Sequence, residues 1–82
     1  MEVQITILPI AGFCGEKQEL KLYLEEGSIS ELAALLEERF GVNLRSIESL
    51  LFLRNGRGMD VSEDVVFADG DQLALLPQIT GG

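Results

Sequence analysis

Residues 28–41 read SISELAALLEERFG, and this stretch decides which folds the chain of 82 residues can adopt. Ser28 followed by Glu31 is the capping-box pattern of a helix start, and Gly41 is typical of the left-handed residue that ends a helix. The apolar residues between these ends recur at spacings of three and four and form one helical face. They are Ile29, Leu32, Ala33, Leu35, Leu36 and Phe40. The stretch predicts an amphipathic helix that must cover an apolar surface.

Two alternating segments before the helix predict strands. In residues 3–7 β-branched residues alternate with polar ones, and in residues 20–25 leucines alternate with polar or charged ones. Pro9 ends the first strand, because proline cannot donate to a sheet, and residues 11–17 predict a loop. We expect the two strands to pair antiparallel, with their apolar side chains on one buried face.

The segments after the helix predict further strands. Residues 50–54 are an apolar run with β character that ends at Asn55-Gly56, a dipeptide typical of tight turns. Residues 42–49 show no clear period and are predicted to be irregular. Asp69-Gly70-Asp71 predicts another turn, because glycine permits a positive φ and aspartate bonds its own backbone. Gln72 to Pro77 is predicted as the last strand.

The order of these elements indicates the fold class. A single amphipathic helix must bury its apolar face against one face of a sheet, and the long connection through the helix permits parallel pairing of distant strands. We predict an α+β roll in which one main helix packs on one face of a mixed sheet of four to five strands. The chain shows no internal repeat and no second domain.

The charge balance narrows the kinds of partner. Fourteen acidic and six basic residues give a formal net charge of −8, which disfavours nucleic acid and anionic membranes as partners. It favours a protein with a basic face, although acidity also simply keeps small proteins in solution. The apolar runs are shorter than the ~18 residues of a membrane span, and MEVQITILPI lacks the basic region of a signal peptide. We expect a cytoplasmic protein.

The residue inventory argues against conventional catalysis on this chain. Histidine is absent and Cys14 is the one cysteine, which removes the Ser–His and Cys–His pairs and the common zinc sites. We interpret Cys14 as a packed or loop thiol, because no histidine is present to activate it. Asp69 and Asp71 have no further ligands beside them in the sequence, so we predict no metal site. Arg45, Arg54 and Arg57 could meet an acidic surface of a partner, but we interpret them as solvated.

The carboxyl end carries the most specific signal. The Asp69-Gly70-Asp71 turn, the apolar strand Leu73 to Leu76, Pro77 and the final Thr80-Gly81-Gly82 resemble the end of the MoaD family, the small subunits of molybdopterin synthase. The resemblance to the thiazole sulfur carrier ThiS is looser. The element order is also the order of the β-grasp (ubiquitin-like) fold of this family. The resemblance therefore covers the whole chain in element order and length, and it is specific in residues 69–82.

That resemblance implies a chemistry for the last residue. The carboxylate of Gly82 would be adenylated by an ATP-dependent enzyme (MoeB/ThiF-like) that uses ATP and Mg, and a sulfur donor protein would convert it to a thiocarboxylate. The sulfur would serve molybdopterin (molybdenum or tungsten cofactor) synthesis, in a complex with a larger synthase subunit (MoaE-like). This chain would be the sulfur carrier and not the catalytic subunit, with no cofactor bound to it.

Two departures from the family leave alternatives open. Gln78 stands where the family usually has a second proline, and LRNGRGM at 53–59 is only loosely similar. The carrier could therefore serve thiamine thiazole, tRNA thiolation or sulfur amino acids. The chain could also be a ubiquitin-like module for protein interaction or conjugation.

The resemblance also divides the chain into a body and a tail. We expect residues 1–77 to form the domain and residues 78–82 a flexible tail, in which Ile79, Thr80 and Gly81 enter the partner's site. Fixing such a tail costs about 1–2 kcal/mol for each residue, so the body must add a docking surface. We predict that Tyr23, Phe52 and Leu76 face away from the helix and form that surface, the alternative being that irregular segments bury them.

Overall fold

A computed structural model describes residues 1–47, 50–60 and 65–78 of the chain. Within these ranges the four strands and one α-helix predicted from the sequence follow one another in the predicted order, and a fifth strand and a short 3₁₀ turn add to them. The elements are β1 (Glu2–Ile7), β2 (Gln18–Tyr23), α1 (Ile29–Phe40), the 3₁₀ turn (Leu44–Ser46), β3 (Leu50–Arg54), β4 (Arg57–Met59) and β5 (Gln72–Pro77). No helix among the described residues is long and apolar enough to cross a membrane.

The strands form one mixed sheet with the order β2-β1-β5-β3-β4. β1 and β5 run parallel, with Ile5 beside Leu73, and the other neighbours run antiparallel. The parallel pair is possible because the chain crosses over through α1 between β2 and β3. As a result β5, the last strand, lies in the middle of the sheet and bonds a strand on each side.

The two ends of α1 confirm the predicted caps and add one difference. The Ser28 Oγ accepts the Glu31 N–H at 3.1 Å, and Gly41 has φ 74°. The Glu31 carboxylate accepts the N–H groups of Glu25, Glu26 and Gly27 at 2.7, 2.9 and 2.9 Å. The chain before the helix therefore wraps around this carboxylate. The Glu25 N–H is the largest cause of the lowered pKa of Glu31, while partial burial opposes it.

The core lies between α1 and the inner face of the sheet. Phe52 and Phe67 stack there, with ring centroids 6.2 Å apart. A second aromatic pair, Phe13 and Phe40, lies at one end of the core, with ring centroids 5.2 Å apart. The other buried apolar side chains are Val3, Ile5, Ile7, Ile10, Leu22, Leu24, Ile29, Leu32, Ala33, Leu36, Leu44, Leu73 and Leu75.

Two elements differ from the sequence prediction. Asn55 and Gly56 have φ values of 50° and 82°, and this two-residue turn brings Arg57 directly opposite Arg54. β4 therefore forms where we predicted no strand. The irregular segment predicted for 42–49 contains the 3₁₀ turn, because Asn43 Oδ1 accepts the Arg45 N–H at 2.8 Å and Leu44 is buried.

Candidate functional site

The sheet face that points away from α1 has an apolar half and a polar half. On the apolar side Leu51 lies opposite Leu76 in the β3–β5 ladder, and Leu53 lies opposite Ala74. Directly paired residues share a face, so these four residues form one surface, which we call the apolar patch. Leu51 is 37% exposed, and the other three are partly buried.

The polar half of the same face belongs to β1 and β2. Thr6 pairs with Ala74 on one side and with Glu19 on the other. Gln4 pairs with Lys21 farther along the strands, and Gln4 is exposed. The apolar patch therefore lies on β3 and β5, and β5 is the last strand in sequence among the described residues.

The three predicted docking residues have different outcomes. Phe52 is only 1% exposed and pairs with Leu75 on the inner face, so its predicted outward position is wrong. The strand alternates faces, and it is Leu51 and Leu53 that point outward. Leu76 lies in the apolar patch, as predicted, and its docking role stays a prediction.

Tyr23 faces outward but lies far from the apolar patch. Its side chain is 71% exposed, and it pairs with Glu2 at the start of β1. Leu76 follows Leu75, whose carbonyl accepts the Leu8 N–H at 3.0 Å at the other end of β1. From Glu2 to Leu8 a strand rises about 20 Å. Tyr23 and Leu76 therefore do not belong to one compact surface.

Asp71, at the start of β5, holds the turn and the hairpin in place. Its Oδ2 accepts from Arg54 Nε at 2.8 Å and from the Ala68 N–H at 2.8 Å, and its Oδ1 accepts from Asn55 Nδ2 at 3.0 Å. Among the described residues it is the one polar or charged side chain that is buried. These bonds connect the start of β5 to the β3–β4 hairpin and so fix the register that builds the apolar patch.

The charge state of Asp71 follows from these contacts. Burial raises the pKa of the Asp71 carboxyl, but the hydrogen bonds from Ala68, Asn55 and Arg54 and the charge of Arg54 outweigh burial and lower it. The guanidinium of Arg54 also lies 5.6 Å from the centre of the Phe67 ring. The interpretation of Arg54 as a solvated arginine is therefore wrong, because it forms an ion pair inside the fold.

The point where the chain leaves β5 adjoins a groove of about 470 Å³. The β1–β2 loop forms one wall, the segment after α1 forms another, and Pro77 and Gln78 lie at its rim. The remaining lining residues are Ile10, Ala11, Gly12, Val42, Ser46 and Ile47. The predicted tail residues Ile79, Thr80, Gly81 and Gly82 lie outside the described residues.

The other sequence candidates carry no site. Cys14 is half-buried, and its Sγ donates to the Glu16 carbonyl at 2.9 Å, which agrees with a packed loop thiol. Asp69 Oδ1 accepts the Glu2 N–H at 2.6 Å, so it does not share a ligand set with Asp71. In the described ranges no group of three or more acidic, cysteine or histidine side chains could hold a metal ion.

Comparison with known proteins relates this geometry to other small domains. No family model matches the chain. It is 38% identical over 55 residues to the molybdopterin synthase sulfur carrier subunit of Drosophila erecta, a match that covers 65% of this chain and 59% of that protein. The match therefore spans less than two thirds of the relative's length.

Solved structures match over the full length. SAMP1 from Haloferax volcanii superposes with a TM-score of 0.72 at 20% identity, and all of each chain is covered. A chain of the complex of subunits 1 and 2 of the molybdopterin-converting factor from Helicobacter pylori 26695 superposes with a TM-score of 0.63 at 23% identity, again with full coverage.

The fold and the central last strand define the chain as a β-grasp, ubiquitin-like domain. The match to the Drosophila erecta subunit confirms the predicted resemblance to the MoaD-like sulfur carriers, and the solved structures share the fold.

Proposed function

We propose that this chain is a sulfur carrier that works as the small subunit of a molybdopterin synthase. The observation that carries the proposal is the sequence Gly81-Gly82, which three residues separate from Pro77, the end of the central strand β5, whose outward side chains form half of the apolar patch. The similarity to a sulfur carrier subunit supports the same assignment. In this role the chain is a cosubstrate, and its partners supply the acid and base groups.

The chemistry explains why the reacting residue is glycine. The Gly82 carboxylate attacks the α-phosphate of ATP, pyrophosphate leaves, and the product is an acyl adenylate. Hydrosulfide from the sulfur source then attacks the acyl carbon, the bond from that carbon to the phosphate oxygen breaks, AMP leaves, and loss of the S–H proton gives the thiocarboxylate. A side chain on Gly82 would crowd the attack, and a side chain on Gly81 would restrict φ in a narrow channel.

The length of the tail sets how deeply the reactive end reaches. Five residues, Gln78 to Gly82, span at most about 17 Å when extended. That length carries Gly82 into an enclosed site while the folded body stays outside. Ordering the five residues costs of the order of 5–10 kcal/mol, so contacts of the tail alone cannot hold the complex.

The apolar patch is the surface on this chain that compensates for that cost. It lies on the two strands next to the tail, so a partner that covers Leu51 and Leu76 is already at the rim where the tail begins. A contiguous group of apolar side chains that solvent reaches, here the exposed Leu51 and three partly buried neighbours, is typical of a protein-binding surface. The Helicobacter pylori complex, in which a chain of the same fold is paired with a second subunit, supports a larger synthase subunit as this partner.

The first experiment measures the intact mass of the protein after incubation with ATP, Mg²⁺, an activating enzyme from the same organism and a sulfide source. We expect one oxygen to be replaced by one sulfur. Deletion of Gly82 should abolish the change and leave binding of the body to the synthase subunit nearly intact. Leu76→Asp should weaken that binding, and Gln4→Asp, on the polar half of the same face, is the matched control.

Other outcomes would assign the chain differently. An unchanged mass, with the activating enzyme active on another carrier, would exclude the sulfur carrier and favour an interaction module. An amide bond from Gly82 to lysines of other proteins would indicate conjugation. A thiocarboxylate that forms but does not support molybdopterin formation would assign the carrier to another sulfur pathway.

A further inference from the structure

The second surface lies at the β2 edge of the sheet, away from the apolar patch. β2 is the first strand in the sheet order, and within the described ranges no strand pairs with its outer side. Met1 and Leu24 exchange two backbone hydrogen bonds, at 2.9 and 2.8 Å. Along an antiparallel ladder, pairs whose N–H and C=O groups bond each other alternate with pairs whose groups point away from the partner strand. Leu24 belongs to a bonded pair, so the N–H and C=O groups of Tyr23 and Lys21 point outward from the sheet.

A groove of about 540 Å³ runs between this edge and α1. It is lined by Lys21, Leu22, Tyr23, Leu35, Glu38 and Arg39. Leu22 is 6% exposed and Leu35 is partly buried, so apolar side chains form its base. An extended segment beside β2 would therefore meet the outward backbone N–H and C=O groups of β2 along its edge and the apolar side chains of the groove on the side of α1.

The charge of the groove differs from that of the rest of the molecule. The chain has six basic residues and a net charge of −8, yet Lys21 and Arg39 both line this groove, with Glu38 as its acidic member. In the part of the chain that the structure describes, the ion pairs are Lys17–Glu19 and Arg54–Asp71. Lys21 and Arg39 belong to neither pair. Each side of the β2 edge thus carries a basic side chain, Lys21 on the face away from α1 and Arg39 on α1 itself.

We propose that this groove binds an extended segment of a partner protein, in which apolar residues alternate with acidic ones, by adding it as a strand beside β2. Such a segment hydrogen-bonds the outward peptide groups of Lys21 and Tyr23. Successive side chains of a strand point to opposite faces. The apolar residues therefore face Leu35 and α1, while the acidic residues lie beside the Lys21 ammonium, and an acidic residue at the end of the segment reaches Arg39.

A second copy of this chain fits the groove less well. Each copy carries a net charge of −8, so two copies repel each other before they meet. A partner segment that carries a few acidic residues can still meet the local basic charge of Lys21 and Arg39. The groove and the apolar patch lie on different strands of the sheet, and the proposal does not depend on the chemistry of Gly82.

The test is a titration of the ¹⁵N-labelled full chain with a short peptide in which Val alternates with Asp, followed by NMR. We expect saturable shifts and slower amide exchange at Lys21 and Tyr23, with smaller shifts from Leu35 to Arg39. The Lys21→Glu/Arg39→Glu variant should bind at least about tenfold more weakly, and it should prefer a peptide in which Val alternates with Lys. Shifts confined to the apolar patch, or no saturable binding, would overturn the proposal.

Two substitutions at one position separate backbone from side-chain recognition. Tyr23→Pro removes an outward N–H from an edge strand, where proline is tolerated, and should abolish binding. Tyr23→Ala keeps the N–H and should weaken binding only a few-fold. If the proline variant binds like the alanine variant, strand addition is wrong. If the proline variant does not fold, the peptide-dependent slowing of amide exchange at Lys21 and Tyr23 in the unaltered chain tests strand addition instead. If the NMR shifts of β2 change with protein concentration in the absence of peptide, the occupant is a second copy of the chain. This outcome would also overturn the proposal.

Discussion

Replacement of Asp71 by alanine removes the acceptor that holds the β3–β4 hairpin against the start of β5. The carboxylate accepts three hydrogen bonds, and the nearest charge is the Arg54 guanidinium, with Nε at 2.8 Å. A hydrogen bond to a charged group contributes about 1.5–3 kcal/mol. The Ala68 and Asn55 donors are exposed residues that water can reach after the change, so the contributions do not simply add.

We expect Asp71→Ala to lower the free energy of unfolding by about 2–4 kcal/mol. The Arg54 side chain is 31% exposed, so water can hydrate its guanidinium once the carboxylate is gone. This hydration sets the upper limit of the expected loss in unfolding free energy. In a domain of this size the loss corresponds to a fall in the unfolding midpoint of about 10–25 °C. Urea denaturation followed by circular dichroism measures the free energy directly.

The matched control is Glu19→Gln, which removes a carboxylate from the Lys17–Glu19 pair at 3.4 Å. Both side chains of that pair are mostly exposed, at 58% and 70%, so the loss should stay below about 1 kcal/mol. A loss for Asp71→Ala that is no larger than the loss for Glu19→Gln would refute the reasoning. It would show that the cluster contributes no more than an exposed ion pair.

The effect of pH gives an independent test of the same cluster. The folded-state pKa of Asp71 is lowered, so the carboxylate contributes its full stability above the unfolded-state pKa and loses it as the pH falls through the folded-state pKa. Asp71→Asn has no charge to titrate. The difference in unfolding free energy between the unaltered chain and this variant should therefore shrink on acidification, and a difference that stays constant would contradict the assignment.

Three further predictions concern the core, a crowded glycine and the start of α1. Phe52→Ala should cost about 3–5 kcal/mol in urea denaturation, and Leu51→Ala on the same strand under about 1 kcal/mol; equal losses would mean that the faces of β3 are wrongly assigned. Gly27→Ala and Gly41→Ala share φ 74°, but only at Gly27 would the added Cβ lie 3.2 Å from the Phe67 carbonyl oxygen, so Gly27→Ala should lower the thermal midpoint more. Glu31→Gln should lower the thermal midpoint at neutral pH. The pKa of Glu31 is lowered mainly by the Glu25 N–H, so the effect of the substitution should become smaller as acid protonates the carboxylate of the unaltered chain. An effect that is independent of pH would contradict the role of that charge.

The elements that local sequence determines could be predicted closely. The last strand was predicted over Gln72 to Pro77 and forms over the same residues. The helix begins after Ser28 and ends before Gly41, where the capping hydroxyl and the positive φ require those residue types. Each of these signals acts over a few neighbouring residues, so one stretch of sequence contains all of its physical cause.

The side of the sheet on which β3 places its residues could not be predicted. Residues 50–53 read LLFL, so both faces of the strand are apolar and the sequence shows no alternation. The face is decided by the register with β5, which pairs Phe52 with Leu75, and that pairing depends on a contact between distant segments. This is why Phe52 was placed outward and Leu51 was missed.

The Asp71 cluster was missed for the same physical reason. Arg54 and Asp71 are 17 residues apart, and no short-range pattern links them. The residues Asn55-Gly56 predict a tight turn, but the ion pair also requires β5 to lie beside β3. A contact between distant segments can be predicted only when the order and register of the strands are known, and local sequence patterns do not determine these.

The place of β5 connects the fold to the proposed chemistry. A reactive end that is drawn into a partner's site would pull on the strand that precedes it, and an edge strand is held by one ladder only. β5 is bonded on both sides, by β1 over residues 4–7 and by β3 over residues 50–54, and Asp71 fixes its start. A pull along its axis must therefore shear two ladders together. The same central position puts the apolar patch on the strand that leads into residues 78–82, so in the proposed complex one partner would cover the patch and receive the tail.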